Sequence, residues 1–219
     1  MKLLLVKSIP KVFWSSDNPL NFKPKISTVA ILCIGLVIFG LGEALLIVAG
    51  IGVSPWTVLS QGVSSISGLS IGVSTFVISI AVLVFWIPLS QSPGIGTVLN
   101  AIIISAALEL SLPYLPHPDL LILKAVEVVV GILFVGLGSG LYLIANLGPG
   151  PRDGLMTGLQ RVTGFPVARV RTAIEITVVV LGWSLGGTVG VGTLLFAFGI
   201  GPSVSIGLFA VHYFSQKTK

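Results

Sequence analysis

Six stretches of this chain run almost without charge, and no other feature limits its possible folds as much. They are Ile26 to Gly50, Ile71 to Leu89, Gly94 to Leu112, Leu120 to Ala145, Ala173 to Ser184 and Val189 to Tyr213. A helix crosses a hydrocarbon core of about 30 Å with roughly 17–25 apolar residues. Five of the runs reach that length alone. The Ala173 run does so only with Val167 to Thr172, which brings in two arginines. Inside lipid every backbone N–H and C=O must be satisfied within the protein, which leaves helices or a closed barrel. A barrel strand alternates apolar and polar residues, whereas these runs are continuously apolar, so helices are expected. With 54% apolar and 9% charged residues, the chain has too little polar surface to coat a soluble core.

The positive charges set the expected orientation, because Lys and Arg beside short loops are retained in the cytoplasm. Lys2, Lys7, Lys11, Lys23 and Lys25 precede the first run. Arg152, Arg161, Arg169 and Arg171 lie between the fourth and fifth, and Lys217 and Lys219 close the chain. Gly52 to Ser70 carries no charge. Six spans with both termini in the cytoplasm therefore place eleven of the twelve cationic residues inside, Lys124 being the exception. The basic excess is thus one of orientation, and with no aromatic–basic interleaving no nucleic-acid partner is expected. Leu3 to Val6 is too short for a signal-peptide core, so no cleaved leader is expected. The expected location is the bacterial cytoplasmic membrane.

The chain also repeats itself. A shift of 96 residues without a gap matches 22 of 77 positions between Gly35 to Ser111 and Gly131 to Gly207. Gly52 pairs with Gly148, Pro55 with Pro151, Gly62 with Gly158, Gly68 with Gly164, and the GxGT at 94 to 97 with that at 190 to 193. Biased composition alone gives roughly a tenth, so duplication is the better account. Three spans per copy mean that the second copy enters from the opposite face, an inverted repeat of the kind from which many secondary transporters are built. The expected fold is therefore an all-α membrane protein of six transmembrane helices in two inverted three-helix repeats. The divisions are a basic cytoplasmic segment 1–26, repeats at 27–115 and 120–213, and a cytoplasmic tail 214–219.

Each copy holds a helix break. After Gly52 and Gly148 come Pro55, preceded by the N-cap candidate Ser54, and Pro151; proline suits a first helical turn because its missing N–H is not needed there. Leu59, Val63 and Ile66, and again Leu155, Leu159 and Val162, follow at helical spacing until Gly68 and Gly164. Each short helix, about three turns long, either lies flat at the interface or dips back as a re-entrant element with its N-terminus towards a cavity. The re-entrant arrangement exposes backbone N–H groups suited to an anion.

The strings LIANLGPGPRDGLMTGLQRVTG and VRTAIEITVVVLGWSLGGTVGVGTLLFAFGIGP, with GIGVSPWTVLSQGVSSISGLSIG in the first half, resemble the YczE/YyaS/YitT family of bacterial integral membrane proteins, closest to its YczE branch. The resemblance spans about Gly35 to Gly207 and rests most on GPRDGLM, with Gly154, and on GTVGVGT, while the first half carries the branch's Pro55–Trp56 motif. It implies a multi-pass membrane protein and no particular activity. Where that branch commonly carries an acidic residue after PW and a histidine three positions on, this chain has Thr57 and Ser60.

Polar groups inside the spans are the candidate site. Glu43 lies about 13 Å before the first break, where a carboxylate must face protein or water, pair, or be protonated. It is a candidate for substrate binding or proton coupling, or else a protonated packing group. Arg152 and Asp153 open the second short helix. Asp153 can favour the helix dipole and cap N–H groups, Arg152 can reach a lipid phosphate or a carboxylate, or the pair forms a substrate clamp. Glu175 is one turn from Arg171 and is expected to pair with it. Lys124 and Glu127 form another candidate pair, Asn100 sits about two turns into the third span, and Glu109 near its outer end.

No GK[ST], HExxH or Ser–His pairing occurs, and His117 and His212 have no ligand spacing around them. Neither an enzyme, a metal site nor a cofactor is expected. The expected partners are the bilayer and an unidentified small-molecule or ion substrate, anions included, with a homo-oligomer or partner subunit as a further option. The leading functional expectation is a transporter with a central polar site; the alternative is an accessory or substrate-capturing membrane subunit that does not itself transport.

Overall fold

The computed structural model describes residues 9–217. The expectations placed on Lys2, Lys7 and Lys219 lie outside the described residues. The described residues form helices α1 (Ile26–Ala49), α2 (Pro55–Ser67), α3 (Ile71–Trp86), α4 (Ile95–Ser111), α5 (Leu121–Ala145), α6 (Pro151–Thr163), α7 (Val167–Ser184) and α8 (Val191–Lys217), with a 3-10 turn at Leu112–Tyr114. The 96-residue shift carries the starts of α2, α3 and α4 onto those of α6, α7 and α8. These helix starts thus follow the spacing of the sequence identities.

Four helices, α1, α4 with its 3-10 extension, α5 and α8, are long and apolar enough to cross a membrane. The count rises to five if α2 and α3, bent by 111° at their junction, form one broken span. The other two expected spans are shorter or more polar than the four. α3 stops at Trp86, two residues before Pro88, and α7 carries Arg169, Arg171 and Glu175 within its 18 residues.

The breaks are built from glycine. Gly52 and Gly148 have φ of 114° and 109°, a region that only glycine enters without strain. They let the chain turn sharply into Pro55 and Pro151, each in the first turn of its helix. The expected cap at Ser54 is absent: its side chain accepts no backbone N–H of the helix and is turned instead so that its hydroxyl donates to Glu43 Oε2.

The two halves hold each other through reciprocal contacts. The Gly96 N–H donates to Leu147 O at 2.7 Å, and its counterpart Gly192 N–H donates to Ile51 O at 2.8 Å. A Cβ on Gly138 would lie 2.5 Å from the Gly35 carbonyl, and one on Gly42 2.7 Å from that of Gly131, so α1 and α5 cross backbone to backbone at two equivalent points. α2 packs on α7 as α3 packs on α6. The glycines of GxGT therefore serve close packing.

One relation is not reciprocal. α3 packs along α4, with the Gly72 N–H donating to Glu109 Oε2 at 2.7 Å, whereas the equivalent α7 and α8 do not pack along each other. The N-terminal segment adds a second asymmetry. Trp14 is buried beside Leu36 and Tyr142, and Ser16 N–H donates to Ala145 O at 3.0 Å, capping the end of α5.

Candidate functional site

The first turn of α2 is buried from Pro55 to Val58, while its last residues are exposed. That turn therefore packs against the long helices, and it brings Ser54 and Thr57 to Glu43. Both hydroxyls donate to Glu43 Oε2 at 2.7 Å. Glu43 is 1% exposed, and its second oxygen, Oε1, has no hydrogen-bond partner. The packing alternative of a bond to neighbouring backbone is not what the structure has: the carboxyl is held by side chains of the repeated break.

The second half reverses the arrangement. Thr57 corresponds to Asp153 under the 96-residue shift, and Glu43 to Ser139. Here the carboxylate is on the short helix, and it accepts a hydrogen bond from the Tyr142 hydroxyl on the long one. Asp153 Oδ2 also stands beside Gly150, 3.2 Å from where an added Cβ would lie. Arg152 is not paired with a carboxylate; its guanidinium stacks 5.1 Å from the Trp56 ring centroid, the residue equivalent to itself in the first copy. It lies within electrostatic reach of both Glu43 and Asp153.

These groups line one cavity of about 220 Å³ between the halves. All five expected site residues, Glu43, Asn100, Arg152, Asp153 and Glu175, are on its wall. So are Ser54, Tyr142 and Arg171. The wall follows the internal repeat: Glu43 and Ser139, Trp56 and Arg152, Thr75 and Arg171, Ser79 and Glu175, and Asn100 and Phe196 are equivalent pairs that all face it. In each of these pairs at most one member is charged, so a symmetric scaffold carries asymmetric chemistry.

Arg171 and Glu175 form the expected i,i+4 ion pair at 2.8 Å, with side chains 44% and 27% exposed. That places the pair at the open edge of the cavity. Asn100 makes no hydrogen bond across helices; its amide stands near Gly150, where an added Cβ would meet Nδ2 at 3.1 Å. The Lys124–Glu127 pair is not formed, and Glu127 Oε2 is buried without a partner. Glu109 belongs to the α3–α4 contact, not to the cavity. Among the described residues no cluster suited to a metal ion occurs.

The motif residues have structural reasons. The Trp86 indole N–H donates to Pro151 O at 3.0 Å, and its ring packs on Gly154. Ser54, Thr57 and Tyr142 were not singled out as ligands by sequence reasoning. A tyrosine inside an apolar span, eleven residues before Asp153 as Glu43 is eleven before Ser54, is the signal that marks it.

A family model described as "Family of unknown function (DUF6198)" matches residues 26–208. An uncharacterized protein of Haemophilus influenzae is 41% identical over 199 residues, covering 91% of this chain and 90% of the relative. The uncharacterized membrane protein YczE of Bacillus subtilis is 35% identical over 105 residues, 48% of this chain and 49% of its own length. No solved structure matches. The YczE resemblance seen in the motifs is thereby borne out, and with the apolar helices it identifies a multi-pass membrane protein.

Proposed function

The chain belongs to the DUF6198 family, and we propose that it is a small-molecule or ion transporter of the bacterial cytoplasmic membrane, with its substrate site in the cavity between two inverted repeats. The observation that carries this reading is the cavity wall, to which both halves contribute equivalent positions while no equivalent pair carries charge on both members. A packing cavity has no need of five ionisable side chains, since each buried charge costs several kcal/mol unless compensated.

In this reading α3 and α7 complete six spans, α2 and α6 are re-entrant, and both termini are cytoplasmic. The unequal packing of α3 on α4 and of α7 on α8 is then one of two conformations. Inverted repeats exchange access by exchanging the conformations of their halves. With α3 and α4 closed at the outer end by Gly72 and Glu109, and α7 apart from α8 near Arg171, the cavity opens to the cytoplasm. The partner state has α7 packed on α8 and α3 released from α4.

Glu43 and Arg152 are the substrate or proton-coupling groups, Asp153 with Tyr142 fixes the start of α6, and Arg171 with Glu175 stands at the mouth. The test needs no substrate. In a Cys33→Ser background, a cysteine at Ser105 on the cavity wall is expected to react with membrane-impermeant reagents from either face. Reaction from one face only, under all conditions, removes the transport reading and favours a substrate-capturing subunit.

A further inference from the structure

Resting on that transport reading, we propose that the ligand of the cavity is a zwitterion of amino-acid size, its ammonium group received by Glu43 and its carboxylate by Arg152. Five ionisable groups of opposite sign line the cavity, and most are already engaged. Arg171 and Glu175 bind each other, and Asp153 is held by Tyr142. What remains is Glu43 Oε1, buried with no partner, and the Arg152 guanidinium, whose five N–H donors make no hydrogen bond or ion pair with a described residue. Glu43 and Arg152 feel each other's charge but form no ion pair.

A simple anion at Arg152 adds negative charge beside Glu43 and Asp153 and leaves Oε1 empty. A simple cation at Glu43 meets Arg152 and leaves the guanidinium empty. A ligand carrying both charges satisfies both, which matters because an uncompensated charge in a largely apolar cavity is expensive. A guanidinium stacked on a ring with its N–H groups unpaired also offers the planar fork that carboxylates accept. The cavity, about 220 Å³, is smaller than the roughly 300–1,000 Å³ typical of drug-sized ligands. Phe39, Trp56, Tyr142 and Phe196 supply an apolar wall for the rest of the molecule.

The test is thermal unfolding of the full chain in detergent with each of the twenty standard amino acids separately, followed by the decarboxylated amine and the deaminated acid of any that stabilise. For leucine these are 3-methylbutylamine and 4-methylpentanoate. At least one amino acid with an apolar side chain is expected to raise the midpoint by about 5–10 °C at a hundredfold excess over its Kd. Its amine and acid counterparts should need at least about tenfold more ligand for the same shift, having lost one charge-assisted contact. Glu43→Gln and Arg152→Gln should each remove the preference.

No stabilisation by any of the twenty, an amine or acid as effective as its amino acid, or unchanged preference in both variants overturns the inference. If a variant does not fold, the ligand series on the wild-type chain still decides. Two-faced reactivity of a cysteine at Ser105 alongside a negative ligand series leaves transport standing with a different ligand class, so the two failures are distinguishable.

Discussion

Replacing Gly154 with alanine tests the packing that positions the second short helix. The added Cβ would lie 1.9 Å from Trp86 Cζ2 and 2.5 Å from Cε2, against about 3.5–4 Å for a relaxed carbon contact. The ring must therefore retreat by roughly 1.5–2 Å. It is 2% exposed and donates its indole N–H to Pro151 O at 3.0 Å, so it has nowhere to go without losing that bond. Overpacking costs about 1–3 kcal/mol and a stranded buried donor about 1–3 kcal/mol more, while alanine gains about 1 kcal/mol over glycine in a helix. The net is a loss of about 1–5 kcal/mol, or roughly 2–20 °C in the midpoint for a chain of this length. The first half solves the same contact in reverse, with Val58 on the short helix facing Gly182 on the long one. The assay is a double-mutant cycle in detergent thermal melts: Gly154→Ala should cost much less in a Trp86→Phe background, with a coupling of about 1–3 kcal/mol. Additive effects, or a single substitution within about 0.5 kcal/mol of wild type, refute the reasoning.

The hydroxyl clamp on Glu43 makes a second prediction. Ser54→Ala with Thr57→Val removes both donors to Oε2 and is expected to cost about 2 kcal/mol or more, since leaving a buried polar group without its partners costs about 1–3 kcal/mol. Adding Glu43→Leu should restore most of that stability, because the polar network is then replaced outright; a triple variant no more stable than the double one contradicts it. The inversion of the repeats is tested by cysteines at Ser67 and Thr163, equivalent and exposed ends of α2 and α6. In a Cys33→Ser background Ser67→Cys should react from outside and Thr163→Cys should not, and equal labelling from one face rules out opposite orientations.

Much of the scaffold was legible because the duplication shows itself in glycine and proline. Gly52, Gly148, Pro55 and Pro151 occupy positions where backbone geometry admits few alternatives, so the breaks and the short helices follow from the sequence. The Arg171–Glu175 pair was legible for a similar reason, since i,i+4 spacing on one helix is local. What failed is long-range. Ser54 has the identity of an N-cap, but no local signal shows that Glu43, eleven residues back, competes for its hydroxyl. Arg152 meeting Trp56 joins residues 96 apart, and Trp14 covering the end of α5 depends on tertiary packing of a segment with no periodicity. Lys124 and Glu127 satisfy a spacing rule and still do not pair, because three residues on a helix permit a contact without requiring it.

Cross-linking of Ala168→Cys to Ser205→Cys tests the exchange of packing between halves most directly. These positions are the counterparts of Gly72 and Glu109, where an added Cβ on Gly72 would stand 2.5 Å from Glu109 Cβ, while α7 and α8 do not pack in the present conformation. If the halves exchange conformations, residues 168 and 205 come together as 72 and 109 do now. In a Cys33→Ser background, oxidation in membranes should then form an intramolecular disulfide, and a third cysteine at Ser105, the one left unpaired, should become reactive from outside and protected from the cytoplasm. A chain that never cross-links at these positions, and whose Ser105→Cys keeps the same one-sided reactivity throughout, has a fixed cavity and does not transport by this mechanism.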